Sequence, residues 1–355
     1  MADPVDPVLV SPAGRRRGRG FALPIPGTPG PCNAITDVPG VTVGFSTLIA
    51  DGTATVRTGV TAVLPRPPER LLEPVWAGAF SMNGNGEMTG VHWIEEAGWL
   101  TGPITITNTF SVGLAHHATV RWMIRRFRPA FENYLWVLPV AAETYDGWLN
   151  DIAGQQVTEA DVMAAIDGAR PGPVTEGNVG GGTGTASRRV TLGDDQYTVG
   201  VLVQANHGRR PWLSVCGVPV GASLSEGRLC DEERGSIIVV VATDAPLIPT
   251  QLKRLARRAV IGIGRGGTPS GNNSGDIFVA FTTANALGPL PEPTTLRLTA
   301  LGNDRLDPLF LGVVEAVDEA VLNAMLGAET MVGHRGHRVE AIDGEALARL
   351  VHAAR

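Results

Sequence analysis

Cysteine is scarce: Cys32, Cys216 and Cys230 are the only three in a chain of 355 residues. An odd count with no pair at metal-ligand spacing excludes a disulfide framework and a cysteine-based zinc site. It reads as reduced, structural thiols, the usual state in cytoplasm. Long apolar runs are also missing. No stretch approaches the roughly 18 residues that a spanning helix needs, so no membrane partner is expected. The opening "MADPVDPVLVSPAGRRRG" has no apolar segment of the kind a secretory signal carries, and a cytoplasmic location is the expectation. An excess of positive charge is lacking too. Lys and Arg total 29 against 35 Asp and Glu, for a net charge of −6. No broad basic field is left to neutralise a phosphate backbone, so nucleic acid is not expected as a partner. The one basic run, "GRRRGRG" at 14–20, lies in a Pro/Gly-rich stretch, and residues 1–30 read as a flexible, solvated arm.

Hydrophobic residues make up 43% and charged residues 18%, which is the composition of a globular chain with a large core. Glycine (45) and proline (26) are abundant, and they imply many tight turns. Strand signals recur: "GVTAVLP" (59–65), "GPITITNTF" with its period of two, "NYLWVLPVAAETYDGWLND" running into a polar loop, "QYTVGVLVQANHG" and "DIFVAFTTAN". Helix signals lie between them. "GEMTGVHWIEEAGWL" (86–100) reads as a helix burying Val91, Ile94 and Trp99. "VGLAHHATVRWMIRRF" ends in a basic turn that suits the helix dipole. Thr158 and Asp161 have the spacing of a capping box. "IPTQLKRLARRAVIGIG" places Ile248, Leu252, Leu255 and Ala259 on one stripe. "DPLFLGVVEAVDEAVLNAML" suggests Asp307 as N-cap with Pro308 next, and "DGEALARLVHAA" a last helix. No repeat or linker divides residues 31–355, and there is no strict βαβ alternation. The expectation is one α+β domain of layered sheets with helices outside.

Polar clusters stand at the ends of several core strands. "AETYDG" offers Glu143, Tyr145 and Asp146, "QANHG" offers Asn206 and His207, and "SGNNSGD" offers Ser274 and Asp276. Catalytic groups concentrate on such rigidly held loops. The stretch "DEERGSIIVVVATDAPL" (231–247) is the most informative, because a Gly-Ser pair stands where a charged loop meets an apolar run, Ile237 to Val241. A serine hydroxyl needs a base within reach. If the chain were cut between Gly235 and Ser236, the new α-amine would be that base. Its pKa of about 7.7–8.0 leaves part of it neutral at physiological pH. Gly235 suits such a cut, since a residue without Cβ tolerates a strained backbone and a close approach.

Six segments in order, "NAITDVPGVTVG", "ETYDGWLND", "EGNVGGGTGT", "LVQANHGRR", "GSIIVVVATDAPL" and "SGNNSGDIFVAFTTAN", resemble the L-aminopeptidase/D-esterase and β-peptidyl aminopeptidase family from about residue 17 to 330. The resemblance implies a four-layer αββα sandwich similar to that of N-terminal-nucleophile hydrolases. It implies self-processing into an α chain (1–235) and a β chain (236–355), with Ser236 as nucleophile. Ser274 and Asp276 match the accessory serine and acidic residue, and Tyr145 and Asn206 the oxyanion-stabilising positions. Family members carry Asp or Glu at the place of Asp276. Glu143 is a candidate partner for the substrate's ammonium, sharing a face with Tyr145 only if its strand continues. The implied activity is release of amino-terminal residues from small peptides, amino-acid amides or esters, without a cofactor, by a homo-oligomer, often of four processed units. The alternatives are a self-processing amino-acid N-acyltransferase and an unprocessed, non-catalytic binding or assembly protein.

Other motifs carry less. The glycine-rich "GNVGGGTGT" (177–185) lacks the Lys-Ser/Thr of a phosphate-binding loop and reads as a structural loop near the site. "HRGH" (334–337) lacks a further acidic or histidine ligand nearby, and the adjacent His116 and His117 lie in an expected helix where consecutive side chains point about 100° apart and could not easily chelate one ion, so no metal is expected. Asp146 and Asp151 bracket a turn and read as caps.

Overall fold

The alternating and uniformly apolar segments form two stacked sheets. The computed structural model describes residues 5–132, 135–177, 182–224, 235–288 and 295–355. Cys230 and residues 231–234 and 178–181, the last within the glycine-rich segment, lie outside the described residues. The first sheet has the order β1 (Thr42–Ala50), β2 (Val56–Leu64), β5 (Ile104–Asn108), β6 (Val140–Thr144). The second has the order β4 (Trp99–Leu100), β3 (Val75–Gly84), β10 (Ser274–Thr282), β9 (Gly235–Thr243), β8 (Asp195–Asn206), β7 (Thr183–Leu192). The pairs β5–β6 and β9–β10 are parallel and the rest antiparallel.

Three apolar clusters define the layers. Ile104, Ile106, Val140 and Ala142 of the first sheet meet Leu202, Ile238, Val240 and Val279 of the second. The outer face of the first sheet packs on helices α2 (Val112–Phe131) and α3 (Glu159–Asp167) through Val60, Ala62, Ala118, Trp122, Val162 and Ile166. The outer face of the second packs on α4 (Pro249–Arg265) and α5 (Asp307–Gly327) through Val201, Val239, Val241, Leu255, Val313 and Val317. The result is a four-layer αββα sandwich. Strand β9 sits at its centre. Ile237 to Val241 are all 0% exposed, and each side chain contributes roughly 1.5–3 kcal/mol of burial. A short α1 (Val91–Ala97), a C-terminal α6 (Gly344–Ala353) and a hairpin of β11 (Met331–Val332) and β12 (Arg338–Val339) complete the chain.

Several local expectations hold. Thr158 and Asp161 form the capping box, and Leu252, Leu255 and Ala259 are the buried stripe of α4. Others change. The helix expected over 86–100 is only Val91–Ala97, because Gly98 closes it in the left-handed conformation (φ 77) and Trp99 joins strand β4. Asp307 is the first residue of α5 and makes no cap; the N-cap position is Leu306.

The basic run of the N-terminal arm is solvated only in part: Arg15 and Arg16 are exposed, whereas Arg17 is buried and Arg19 is mostly so. Arg17 is 3% exposed and binds Glu176 through two nitrogens at 3.0 and 2.9 Å. Arg19 and Arg188 both reach Glu319 of α5, at 2.9 and 2.8 Å. The physical reason is long-range. Glu176 and Glu319 are buried carboxylates, and a buried charge is tolerated only when paired. The basic run supplies the partners. Cys32 and Cys216 are unpaired thiols, and burial pushes both up to about 11, so they stay protonated and unreactive at neutral pH.

Candidate active site

Gly235 and Ser236 open β9, between β8 on one side and β10 on the other. Asn206, the last residue of β8, is the register partner of Ser236, and Ser274, the first of β10, is the partner of Gly235. Three predicted site residues thus converge because three neighbouring strands start or end at one level. Ser236 is 4% exposed, and both Ser274 and Asp276 are fully buried. By strand alternation Ser236 shares the inter-sheet face with Ile238 and Val240.

Gly235 does not need glycine for strain, because it is absent from the positive-φ residues. It needs glycine for space. A Cβ there would lie 1.7 Å from the carbonyl oxygen of Asn206. The neighbouring Gly275, partner of Ser236, also has no room for a side chain, with a Cβ position 2.4 Å from the Asn85 oxygen.

The hydroxyl of Ser274 donates to Asp276 Oδ1 at 2.6 Å, and the other carboxylate oxygen accepts from Ser270 Oγ. Donation to Asp276 leaves the Ser274 oxygen's lone pairs open to accept from another donor. Among the described residues, no side-chain hydrogen bond joins Ser236 to Ser274 or Asp276; in the uncut chain that pair instead borders the Gly235–Ser236 peptide from the adjacent strand. Ser270 is a site residue that motif reading missed. Its φ of 59 is left-handed, an uncommon position for a residue with a Cβ, and its N–H donates to Thr268 Oγ1. The turn-forming "TPSG" at 268–271 is the signal that marks it.

Asn206 Nδ2 donates to the main-chain oxygen of Tyr145, so the two oxyanion candidates are directly linked. Tyr145 lies beyond β6, which ends at Thr144, and it is 42% exposed. Its ring folds over Gly147, where a Cβ would stand 2.3 Å from the phenol oxygen. Because the strand stops, Glu143 and Tyr145 do not share a strand face. Glu143 is nevertheless brought to the site. Its carboxylate accepts from Thr109 Oγ1 and from the Glu87 N–H, and a Cβ on Gly86 would stand 3.1 Å from its Oε1 and 3.2 Å from Gly275 Cα. Burial raises its pKa against those two hydrogen bonds, and no cation among the described residues offsets it. Asp146 is no surface cap. It is 7% exposed, accepts from Asn150 Nδ2 at 3.1 Å, and burial pushes its carboxyl up to about 6.

Among the described residues no group of three or more His, Cys, Asp or Glu side chains forms a candidate metal site, and no helix is long and apolar enough to cross a membrane.

The chain is 46% identical to a beta-peptidyl aminopeptidase of Sphingosinicella microcystinivorans, over 91% of this chain and 89% of that protein. It is 42% identical to another of Sphingosinicella xenopeptidilytica, over 95% and 91%. Its fold superposes on the L-aminopeptidase D-Ala-esterase/amidase of Ochrobactrum anthropi, a variant of the Ntn hydrolase fold, with a TM-score of 0.91 and 50% identity over 95% of this chain and 98% of that one. A Burkholderia sp. beta-aminopeptidase gives a TM-score of 0.88 and 43% identity over 95% and 98%. The sequence pattern of peptidase family S58 matches residues 33–339. With a Gly-Ser pair heading the central strand of an αββα sandwich, and with these relatives, the chain belongs to peptidase family S58 and is an aminopeptidase.

Proposed function

We propose that the protein is a self-processing serine aminopeptidase that releases amino-terminal residues from small peptides, amino-acid amides and esters. The observation that carries this is the placement of Gly235–Ser236 between Asn206 and the Ser274–Asp276 pair. In the first reaction Ser236 Oγ attacks the Gly235 carbonyl carbon and the C–N bond breaks. The nitrogen takes the hydroxyl proton, and an ester joins Gly235 to Ser236 Oγ. Water hydrolyses that ester, leaving a Gly235 carboxylate and a free Ser236 amine. In turnover the same amine takes the proton from Oγ as it attacks substrate, then returns it to the leaving amine. Water completes the cycle by releasing the acyl group. Nucleophile, base and donors all come from the chain, so this reading needs no cofactor.

In this reading Asn206 and Tyr145 donate where negative charge develops on the substrate oxygen, supported by the position of Asn206 as the register partner of Ser236. Ser274, held by Asp276 and through it by Ser270, accepts from the Ser236 terminus and orients it. Glu143 is the partner for the substrate's ammonium: a buried carboxylate without a cation gains most from one. The processed units assemble as a homo-oligomer of four, which light scattering tests directly.

Ser236→Ala is the decisive variant. It should purify as one uncut chain of 355 residues and hydrolyse no aminoacyl p-nitroanilide. Two fragments or residual turnover from that variant would refute the assignment. Reading the new terminus of active wild-type material, expected as Ser-Ile-Ile-Val, checks the position of the cut.

A further inference from the structure

The loop that carries Tyr145 is held from outside its own sheet. Residues 333–337 join β11 to β12, and this hairpin rests on residues 148–150. The His337 ring stacks on Trp148 with centroids 3.8 Å apart and planes 11° from parallel. His337 Nδ1 lies 2.8 Å from the Trp148 carbonyl oxygen; a carbonyl only accepts, so Nδ1 carries the proton. The His334 N–H donates to Leu149 O at 2.7 Å. Gly333 has no room for a side chain, since a Cβ there would be 2.2 Å from the same oxygen. Arg57 ties the two segments together, its Nε donating to Val332 O and its N–H to Asn150 Oδ1, each at 3.0 Å. At its other end the loop presents the Tyr145 carbonyl that takes the Asn206 amide.

We propose that His337 is a positioning residue for the aminopeptidase reaction: by clamping Trp148 it fixes the loop whose Tyr145 carbonyl sets the orientation of the Asn206 side chain, the register partner of Ser236. His337 touches no reacting atom. It acts through the loop, and the clamp has a functional consequence because Trp148 and Tyr145 are 40% and 42% exposed and receive little support from packing. The clamp also crosses the proposed cut, joining a loop before residue 235 to a hairpin after it. This inference rests on the function proposed above.

The test compares His337→Ala, His337→Gln and His337→Phe in the full chain, with an aminoacyl p-nitroanilide as substrate. Misplacing a catalytic donor by about an ångström costs on the order of a hundredfold, so His337→Ala should lower kcat by roughly tenfold to a hundredfold. KM should stay near the wild-type value and the thermal midpoint should change little. His337→Gln, which can still donate to the Trp148 carbonyl, should recover part of kcat, and His337→Phe, which keeps only the stack, should recover less. Tryptophan emission should rise in His337→Ala if the imidazole is lost from the Trp148 face. A kcat for His337→Ala close to wild type would overturn the proposal. So would a loss that appears only as a raised KM, or, if His337→Ala fails to fold, a folded His337→Gln without donor-dependent recovery relative to His337→Phe. Ser236→Ala separates the two claims: if it is active the nucleophile assignment fails, whereas an inactive Ser236→Ala beside an unimpaired His337→Ala overturns the positioning role alone.

Discussion

Replacing Gly235 by alanine perturbs the site by one methyl group whose destination is known. The added Cβ would sit 1.7 Å from Asn206 O and 2.8 Å from Asn206 C. Carbon and oxygen out of bonding tolerate about 3.2 Å, so the ends of β8 and β9 must part by on the order of 1.5 Å. Neither is the mobile end of a side chain: both are backbone held in a ladder that continues to Val199 and Thr243. Overpacking of this kind typically costs roughly 1–3 kcal/mol. The functional cost is larger, because the displaced residues are Asn206 and the Gly235–Ser236 peptide. A misplacement of that size removes about a hundredfold or more from a positioned reaction. We expect Gly235→Ala to fold, to remain mostly uncut over hours by intact-mass analysis, and to show correspondingly little turnover. Gly264→Ala is the control, since a Cβ there meets nothing within 4 Å and the residue lies in helix α4. It should process normally and gain about 0.5–1 kcal/mol. Processing and turnover of Gly235→Ala at wild-type rates would refute the argument that backbone contact with β8 sets the scissile geometry.

Asn206→Ala should lower kcat by roughly a hundredfold or more while leaving the thermal midpoint nearly unchanged, as expected of an oxyanion donor; wild-type turnover would remove Asn206 from the site. Asp146→Asn should stabilise the protein above about pH 6. The folded carboxyl is raised from 3.8 to about 6, so its stabilising contribution is complete only at low pH and is lost as pH rises through 6. The difference from wild type in denaturant unfolding should grow to roughly 2–3 kcal/mol by pH 8 and vanish near pH 4. Glu319→Ala should cost about 3–5 kcal/mol, since it removes the carboxylate paired with Arg19 and leaves Arg188 only its longer pair to Glu315 at 3.4 Å. Burial alone would raise the Glu319 carboxyl, but Arg188 and Arg19 outweigh it and hold the pKa below the ordinary value. That contribution is present at neutral pH and lost on acidification, so the penalty of Glu319→Ala should shrink as pH falls.

What the sequence determined by itself was local in its physics. The apolar run after Ser236, the period of two in "GPITITNTF" and the stripe of α4 each require only neighbours in the chain, and each became the expected element. The polar residues that end those strands were legible for the same reason, and a layered fold could be expected to gather them. The tertiary structure decided everything that depends on who lies across the gap. The end of the helix at Gly98 passed Trp99 to a strand. Gly235 is glycine because the Asn206 backbone lies against it, not because its own conformation is strained. The "GRRRGRG" run has the composition of a solvated tail, yet Arg17 and Arg19 are bound to Glu176 and Glu319, more than 150 residues away in sequence. Ser270 and Glu143 joined the site through contacts with Asp276 and with the Gly86–Gly275 approach. Periodicity reports the environment on either side of a segment, but it carries no address for a buried charge or a close backbone contact. Those partners are chosen by chain topology, and the cost of leaving them unpaired or overlapping is what makes the choice specific.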